Sequence, residues 1–279
     1  MRLDIAKPAP DVPAIRRRHV VAGLIASQSL VHSARAADTS LTRVLERGRL
    51  RVSIGQGLSL PTAPPGARNS PLQDRFGVQV AEMIAQDLGV RLELLVLADP
   101  TMPGVAVTSG DADVQVPAMV SALSARRFLL STPFGALDGV VVAPARPRLR
   151  DGSALDGARL GMLVQYRDAF ADDWPAPAGA VVTPLQSFHD AEVALLTGAV
   201  DAALLPAIHV RTIIQRNPGA GLAAHFSLGN YTYAAGVQFG AQDLLLAVNA
   251  SISDAQHDGR LATMFRDATG FPPQPLAPL

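Results

Sequence analysis

Two short units of the same kind, 88 residues apart, constrain this chain more than any other feature. Each has a glycine turn, an aspartate three residues later and then an apolar run: Gly110 to Asp113 leading into Val114-Gln115-Val116, and Gly198 to Asp201 leading into Ala202-Ala203-Leu204-Leu205. A turn that feeds a short apolar run reads as the start of a buried strand. Two equivalent units suggest two similar lobes. The first unit opens the longer stretch Ser109 to Phe134, whose strand delivers its C-terminal end into a loop carrying Arg126 and Arg127 before Ser131-Thr132-Pro133-Phe134. A strand that ends in a polar, arginine-bearing loop is where open α/β sheets receive ligands.

The remaining segments alternate in the same way. Leu41, Val44 and Leu45 form one helical stripe, Gly48 stops it, and Leu50 to Ile54 follows as a strand. Leu58 to Gln73 is a proline- and glycine-rich loop. Phe76 to Leu88 reads as a helix with Val80, Met83, Ile84 and Leu88 inward, ended by Gly89, and Val90 to Leu97 as the next strand. Gly139 to Ala143, Leu160 to Met162 and Val181-Val182 are further strands, and Pro144 to Arg150 is rich in proline and arginine. Ser187 to Leu196 is a helix with Val193, Leu195 and Leu196 inward. Ala235 to Phe239 is a returning strand, followed by helices over Asp243 to Ile252 and Arg260 to Ala268. Phe271 to Leu279 is a proline-rich, loose tail. Alternating strands and helices predict doubly wound α/β architecture.

At its start the chain has the three parts of an export signal in order. Arg16-Arg17-Arg18 is a positive region, Val20 to Val31 a modest apolar stretch, and Ala34-Arg35-Ala36 a small-x-small cleavage site. The apolar stretch falls well short of the roughly 20 residues that span a bilayer, so it reads as cleaved. Arg17-Arg18-His19-Val20-Val21 fits a loose twin-arginine pattern as well as the general route. The competing reading is a cytoplasmic protein with a basic tail.

Composition excludes several classes of function. The 279 residues have a formal net charge of +0, which provides no basic face for nucleic acid and suggests a monomer. With no cysteine there is no disulfide, thiolate nucleophile or cysteine zinc site. His189, His209, His225 and His257 lack metal-ligand spacing and read as isolated surface or capping residues, and no phosphate-loop, dinucleotide or serine-hydrolase motif occurs. No metal or cofactor is expected.

The segments also resemble one family, the bacterial periplasmic solute-binding proteins of the polar-amino-acid type (extracellular solute-binding protein family 3). Ser109-Gly110, Asp113, Met119 and Ser131 to Phe134 match that family's SGxxDxxxxxMTxTxxR run and FSxPY. The helix, glycine and strand from Leu41 resemble its opening, Asp156 to Met162 its LKGKxVGV strand, Val200-Asp201-Ala202 its VDA strand, and Val248-Asn249 its closing helix. In place of the family's GFDVDLA the chain has Phe76-Gly77-Val78-Gln79-Val80-Ala81, without the two acids. The resemblance implies a two-lobed fold with two hinge crossings, residues 37–139 and 236–279 forming the first lobe and 140–235 the second. It implies a small-molecule ligand held between the lobes, an inner-membrane ABC permease as partner and a periplasmic location.

It also implies an arginine soon after Met119 for a ligand carboxylate. Arg126 is the nearest, and because the loop is about one residue short Arg127 is the alternative; both could instead be solvated or pair with Asp138 or Asp99. The aspartate that usually neutralises an α-ammonium falls at Pro206, and the family's Gly-Thr at the second-lobe carboxylate site reads Gln165-Tyr166. An unpaired ammonium in a closed cleft is costly, so the expected ligand is an organic or aromatic acid rather than a standard α-amino acid. The expected binding set is Ser59, Met119, Ser121, Arg126, Arg127, Gln165, Tyr166 and Arg167. Tyr166 could stack a flat ligand or simply pack, and Arg167 could bind a second acidic group or pair with Asp168 or Asp172. The rival is an exported enzyme on the same fold, resembling cyclohexadienyl dehydratases, with Glu82 or Asp168 as its acid. A soluble sensor partner is indistinguishable at this level.

Overall fold

The computed structural model describes residues 38–54, 75–95, 103–164, 177, 179–274 and 276. Helix α1 (Ser40–Arg47) ends at Gly48, which takes a left-handed φ of 66°. It leads into β1 (Arg49–Ile54). Helix α2 (Arg75–Asp87) buries Val80, Met83 and Ile84 as its spacing predicts and Phe76 besides, Leu88 lies half-buried just past its end, and β2 (Arg91–Leu95) follows. A short α3 (Pro103–Thr108), β3 (Val114–Met119), the one-turn α4 (Ala122–Ala125) and β4 (Leu129–Leu130) make up the organising stretch. Beyond them are β5 (Gly135–Pro144), β6 (Arg159–Leu163), β7 (Val181–Leu185), α5 (Phe188–Thr197), β8 (Ala202–Pro206), α6 (Ala207–Arg216), β9 (Leu222–Val237), α7 (Gln242–His257) and α8 (Arg260–Thr269).

The strands lie in the order β2-β1-β3-β9-β5-β8-β6-β7, with β4 alongside β9. β2, β1 and β3 are parallel, as are β8, β6 and β7; β9 and β5 run antiparallel to their neighbours and join the two groups. Gly135 to Asp138 of β5 face Tyr233 to Asn230 of β9 beside β3, and from Gly139 onward β5 also pairs with β8. The β5/β9 register shifts between Asp138 and Val140 and again between Val140 and Val142. Irregularities of this kind bend and twist a strand pair, and these fall where the pairing passes from one half of the sheet to the other.

These two strands correct the predicted one-strand segments. Gly139 to Ala143 is the middle of a ten-residue strand, and the returning strand begins at Leu222 instead of Ala235. Periodicity missed this because β9 begins with half-exposed residues and ends fully buried, so no single alternation runs through it.

The paired glycine-aspartate units become two equivalent clamps. Asp113 accepts the Arg51 backbone N–H at 2.9 Å and the Arg51 guanidinium at 2.8 Å, and Arg51 also donates to Gly110 O. Asp201 accepts the Arg159 N–H at 2.8 Å and its guanidinium at 2.7 Å, and Arg159 donates to Gly198 O. Arg47 adds a third donor to Asp113. Each clamp ties the start of one parallel strand to the turn before the next, the structural role expected of Asp201.

One apolar cluster runs through both halves of the sheet, from Val44, Leu50 and Phe265 to Leu163, Leu195 and Ile213. A smaller one around Val141, Leu160, Met162 and Leu204 fills the other side of the second half. Several inward assignments need correction. Leu45 of α1 is exposed, as are Val193 and Leu196 of α5. In α5 the buried residues are Ala191, Ala194 and Leu195, an i, i+3, i+4 stripe that leaves Val193 and Leu196 on the flank. Phe271 is packed against the main cluster and is not part of a loose tail.

Candidate functional site

Of the positions expected to carry the site, the described ones fall at the C-terminal end of β3 and the segment after it, with Pro206 at the end of β8. Met119, the last residue of β3, is half-buried opposite Tyr233 of β9. Two residues on, Ser121 takes extended backbone and caps α4: its Oγ accepts the Ser124 N–H at 3.1 Å and donates to Ser124 Oγ at 3.1 Å. The segment predicted as a loop is therefore a capped helical turn. Arg126 is the C-cap of that turn, and both its side chain and that of Arg127 are exposed with no hydrogen bond or ion pair to any described residue. The alternative pairing with Asp138 does not form: the Asn230 amide, oriented by its hydrogen-bond network, donates to Asp138 Oδ1 at 2.8 Å and to Gly229 O at 3.1 Å. Asp99, Ser59, Gln165, Tyr166, Arg167 and Asp168 lie outside the described residues, as does the predicted export signal.

The rest of the organising stretch is scaffold. Ser131 exchanges hydrogen bonds with Ala235 of β9, its N–H donating at 2.8 Å and its Oγ accepting at 2.8 Å. The Thr132 N–H donates to Asn249 of α7, and Gln256 of α7 donates to Pro133 O. Phe134 completes an aromatic trio with Phe76 and Phe265, at centroid distances of 5.8 Å from Phe76 and 5.3 Å between Phe76 and Phe265. These contacts give the Ser-Thr-Pro-Phe sequence and the Val248-Asn249 pair a packing role, holding β4 and the start of β5 against the helices.

On the second half, β8 ends at buried Pro206, which pairs with Gly139 at the register shift and serves as the N-cap of α6 without a side-chain hydrogen bond. No carboxylate occupies that position. Asp138, on β5 opposite Asn230, adjoins the β5/β9 register shift, and sequence reasoning weighed it only as an arginine partner. The signal that marks it, the register shift, is invisible in sequence. Glu82 sits on the exposed side of α2.

His209, expected as an isolated surface or capping residue, is 5% exposed on α6, with its ring stacked on Phe188 at 3.3 Å between centroids. Neither ring nitrogen has a hydrogen-bond partner, and burial, with Arg216 adding to it, lowers its pKa to about 3, so it is neutral. The other two described histidines beyond His189 have local partners. His225 bridges Leu149 N–H and Pro144 O, and His257 contacts Ser253 O of its own helix. Among the described residues no group of His, Asp and Glu could hold a metal ion, and no helix is long and apolar enough to cross a membrane.

No family model matches the chain and no curated protein matches it. Solved structures do match. A mutant of ArgBP from T. maritima aligns with a TM-score of 0.64 at 20% identity, covering 83% of this chain and 100% of that one. An amino acid ABC transporter substrate-binding protein from Streptococcus pneumoniae, bound to L-arginine, aligns at 0.66 and 20% identity over 82% of this chain and 98% of its own. An ancestral amino acid-binding protein described as a precursor of cyclohexadienyl dehydratase aligns at 0.64 and 14% identity, covering 82% and 99%. At such identities the likeness is one of fold, and it extends over nearly the whole of each relative. The chain has the two-lobed α/β fold of the periplasmic solute-binding proteins, and the similar structures are amino-acid-binding members of that fold.

Proposed function

We propose that this protein is the periplasmic solute-binding component of an ABC transporter and captures a small organic acid, not a standard α-amino acid, between residues 37–139 with 236–279 and residues 140–235. The observation that carries the ligand class is Pro206 at the end of β8. A ligand ammonium enclosed there would meet no carboxylate from that strand, and an unpaired buried charge is strongly unfavourable. Arg126 and Arg127, exposed and without a described partner, remain able to take a carboxylate by the fork geometry that suits it. Met119 and Ser121 line the first-lobe side in this reading, with Ser59, Gln165, Tyr166 and Arg167 completing the cleft. Capture precedes delivery to an inner-membrane permease by a monomer that has been exported and cleaved after Ala36.

The similarity to a precursor of a dehydratase keeps catalysis on this fold as the second reading. The exposed position of Glu82 does not favour it, since an acid catalyst needs a site that raises its pKa and meets substrate.

A thermal-shift screen of the mature chain from Ala37 tests the proposal. A solute at 100 times its Kd stabilises the fold by about 2.7 kcal/mol, a shift of several degrees. Organic or aromatic acids are expected to shift the melt and α-amino acids not to, and Arg126→Ala or Arg127→Ala should abolish the shift. Stabilisation by an ordinary α-amino acid would overturn the ligand class and direct attention to Asp138 and Asp168 as the ammonium partner. N-terminal sequencing of periplasmic material checks the export reading, with Ala37 as the expected first residue.

A further inference from the structure

Helix α6 belongs to the second half of the sheet, following β8 and packing on β5 and β9. From its second turn Arg211 reaches across to the end of α8, which belongs to the first half. One guanidinium nitrogen donates to Thr269 O at 2.6 Å and the other to Gly270 O at 3.4 Å, and the guanidinium carbon stands 4.3 Å from the centre of the Phe271 ring. The site is built for this approach. Gly270 has a left-handed φ of 69°, and a Cβ there would come within 2.9 Å of Arg211 Nη2. Thr269 is fully buried, its Oγ1 donating to Phe265 O and accepting the Phe271 N–H, which fixes the carbonyls that face Arg211.

The chemistry suits a cation. The last carbonyls of a helix lack intrahelical donors and carry the negative end of its dipole, and a guanidinium over an aromatic face gains a further attraction. What distinguishes this contact from the apolar packing around it is direction. The driving force of apolar burial is non-directional, whereas a planar fork held by two carbonyls and a ring has one orientation. The halves are also joined by the shared apolar cluster and by β5 and β9, whose pairing is irregular around Asp138 to Val142.

The geometry points to Arg211 as a positioning residue that sets the angle between the two lobes. Its test needs no solute, so it stands or falls separately from the ligand screen. The chain has no cysteine, and Glu46→Cys on α1 with Ala199→Cys on the turn after α5, both exposed, admit one spin label in each lobe. Pulsed electron-spin distance measurements on the ligand-free protein are then compared with and without Arg211→Ala. The expected result is a distribution that widens or moves its mean by more than about 2 Å, the scale of a domain rearrangement, with Phe271→Leu giving a smaller change in the same direction. A distribution that superimposes on the parent, even with a lower melting temperature, reduces Arg211 to a helix cap and overturns the inference. Should Arg211→Ala not fold, Arg211→Gln is read by the same criterion.

Discussion

His209 has both ring nitrogens buried without partners, an arrangement tolerable only while the imidazole is neutral, since a buried imidazolium would need a counter-charge. The charge noted beside it, Arg216, has the wrong sign. The folded pKa of about 3 lies below the ordinary value of 6.5, so the unfolded chain binds a proton that the folded chain refuses. Stability from this residue is therefore complete above pH 6.5 and is lost as pH falls toward 3. At pH 5 the loss relative to pH 7.5 is about 2 kcal/mol. Urea unfolding of the parent and of His209→Phe at both pH values measures it. The parent should lose about 2 kcal/mol more than the variant, whose ring keeps the contact with Phe188 but cannot titrate; equal losses would show that the histidine is protonated without cost. Composition and motif spacing gave no hint of this burial, because a lone histidine in Ile208-His209-Val210 carries the same signal whether it faces water or core.

At the scale of elements, the repeated turn was the most legible feature, and its physical reason is now visible. A glycine turn, an aspartate three residues on and an arginine at the start of the neighbouring strand assemble the same four hydrogen bonds in each half. The two clamps differ in burial: the Asp113 side chain is 10% exposed and holds two arginines, whereas that of Asp201 is 47% exposed and holds one. Removing a part-buried carboxylate strands its cations, while an exposed pair is weakened by solvent. Asp113→Ala should therefore cost about 3 kcal/mol, and Asp201→Ala less than half as much, by denaturant midpoint at constant m. A larger loss at Asp201 would mean that burial does not decide the matter. The capped turn at Ser121, by contrast, was read as a loop because one helical turn is too short to show a period. Its sequence signal, a serine three residues before another small polar residue, is ordinary in loops too.

For the molecule as a whole, most of the alternation of strands and helices was legible, whereas α3, α4, β4, α6 and the joining of the halves were not. Local pattern records which residues face a core but carries nothing about whether two cores meet. Here they do: residues of α1, α2, α7 and α8 share one buried cluster with β6, α5 and α6, and β5 pairs with β9 along its length across both halves. Loss of one half would expose the apolar face and strand edges of the other, so neither is an independent folding unit. This predicts a single calorimetric transition for the mature chain, with a van't Hoff enthalpy equal to the measured one, near 0.7 kcal/mol per residue at about 60 °C. Two lobes unfolding separately would give two overlapping peaks and a van't Hoff enthalpy of about half the measured value. That outcome would sink the shared core as the source of cooperativity. Asp113→Ala discriminates further, because its clamp lies wholly in the first half: in a cooperative molecule it lowers one transition as a unit, whereas in a divided one it lowers the first-half peak and leaves the other in place.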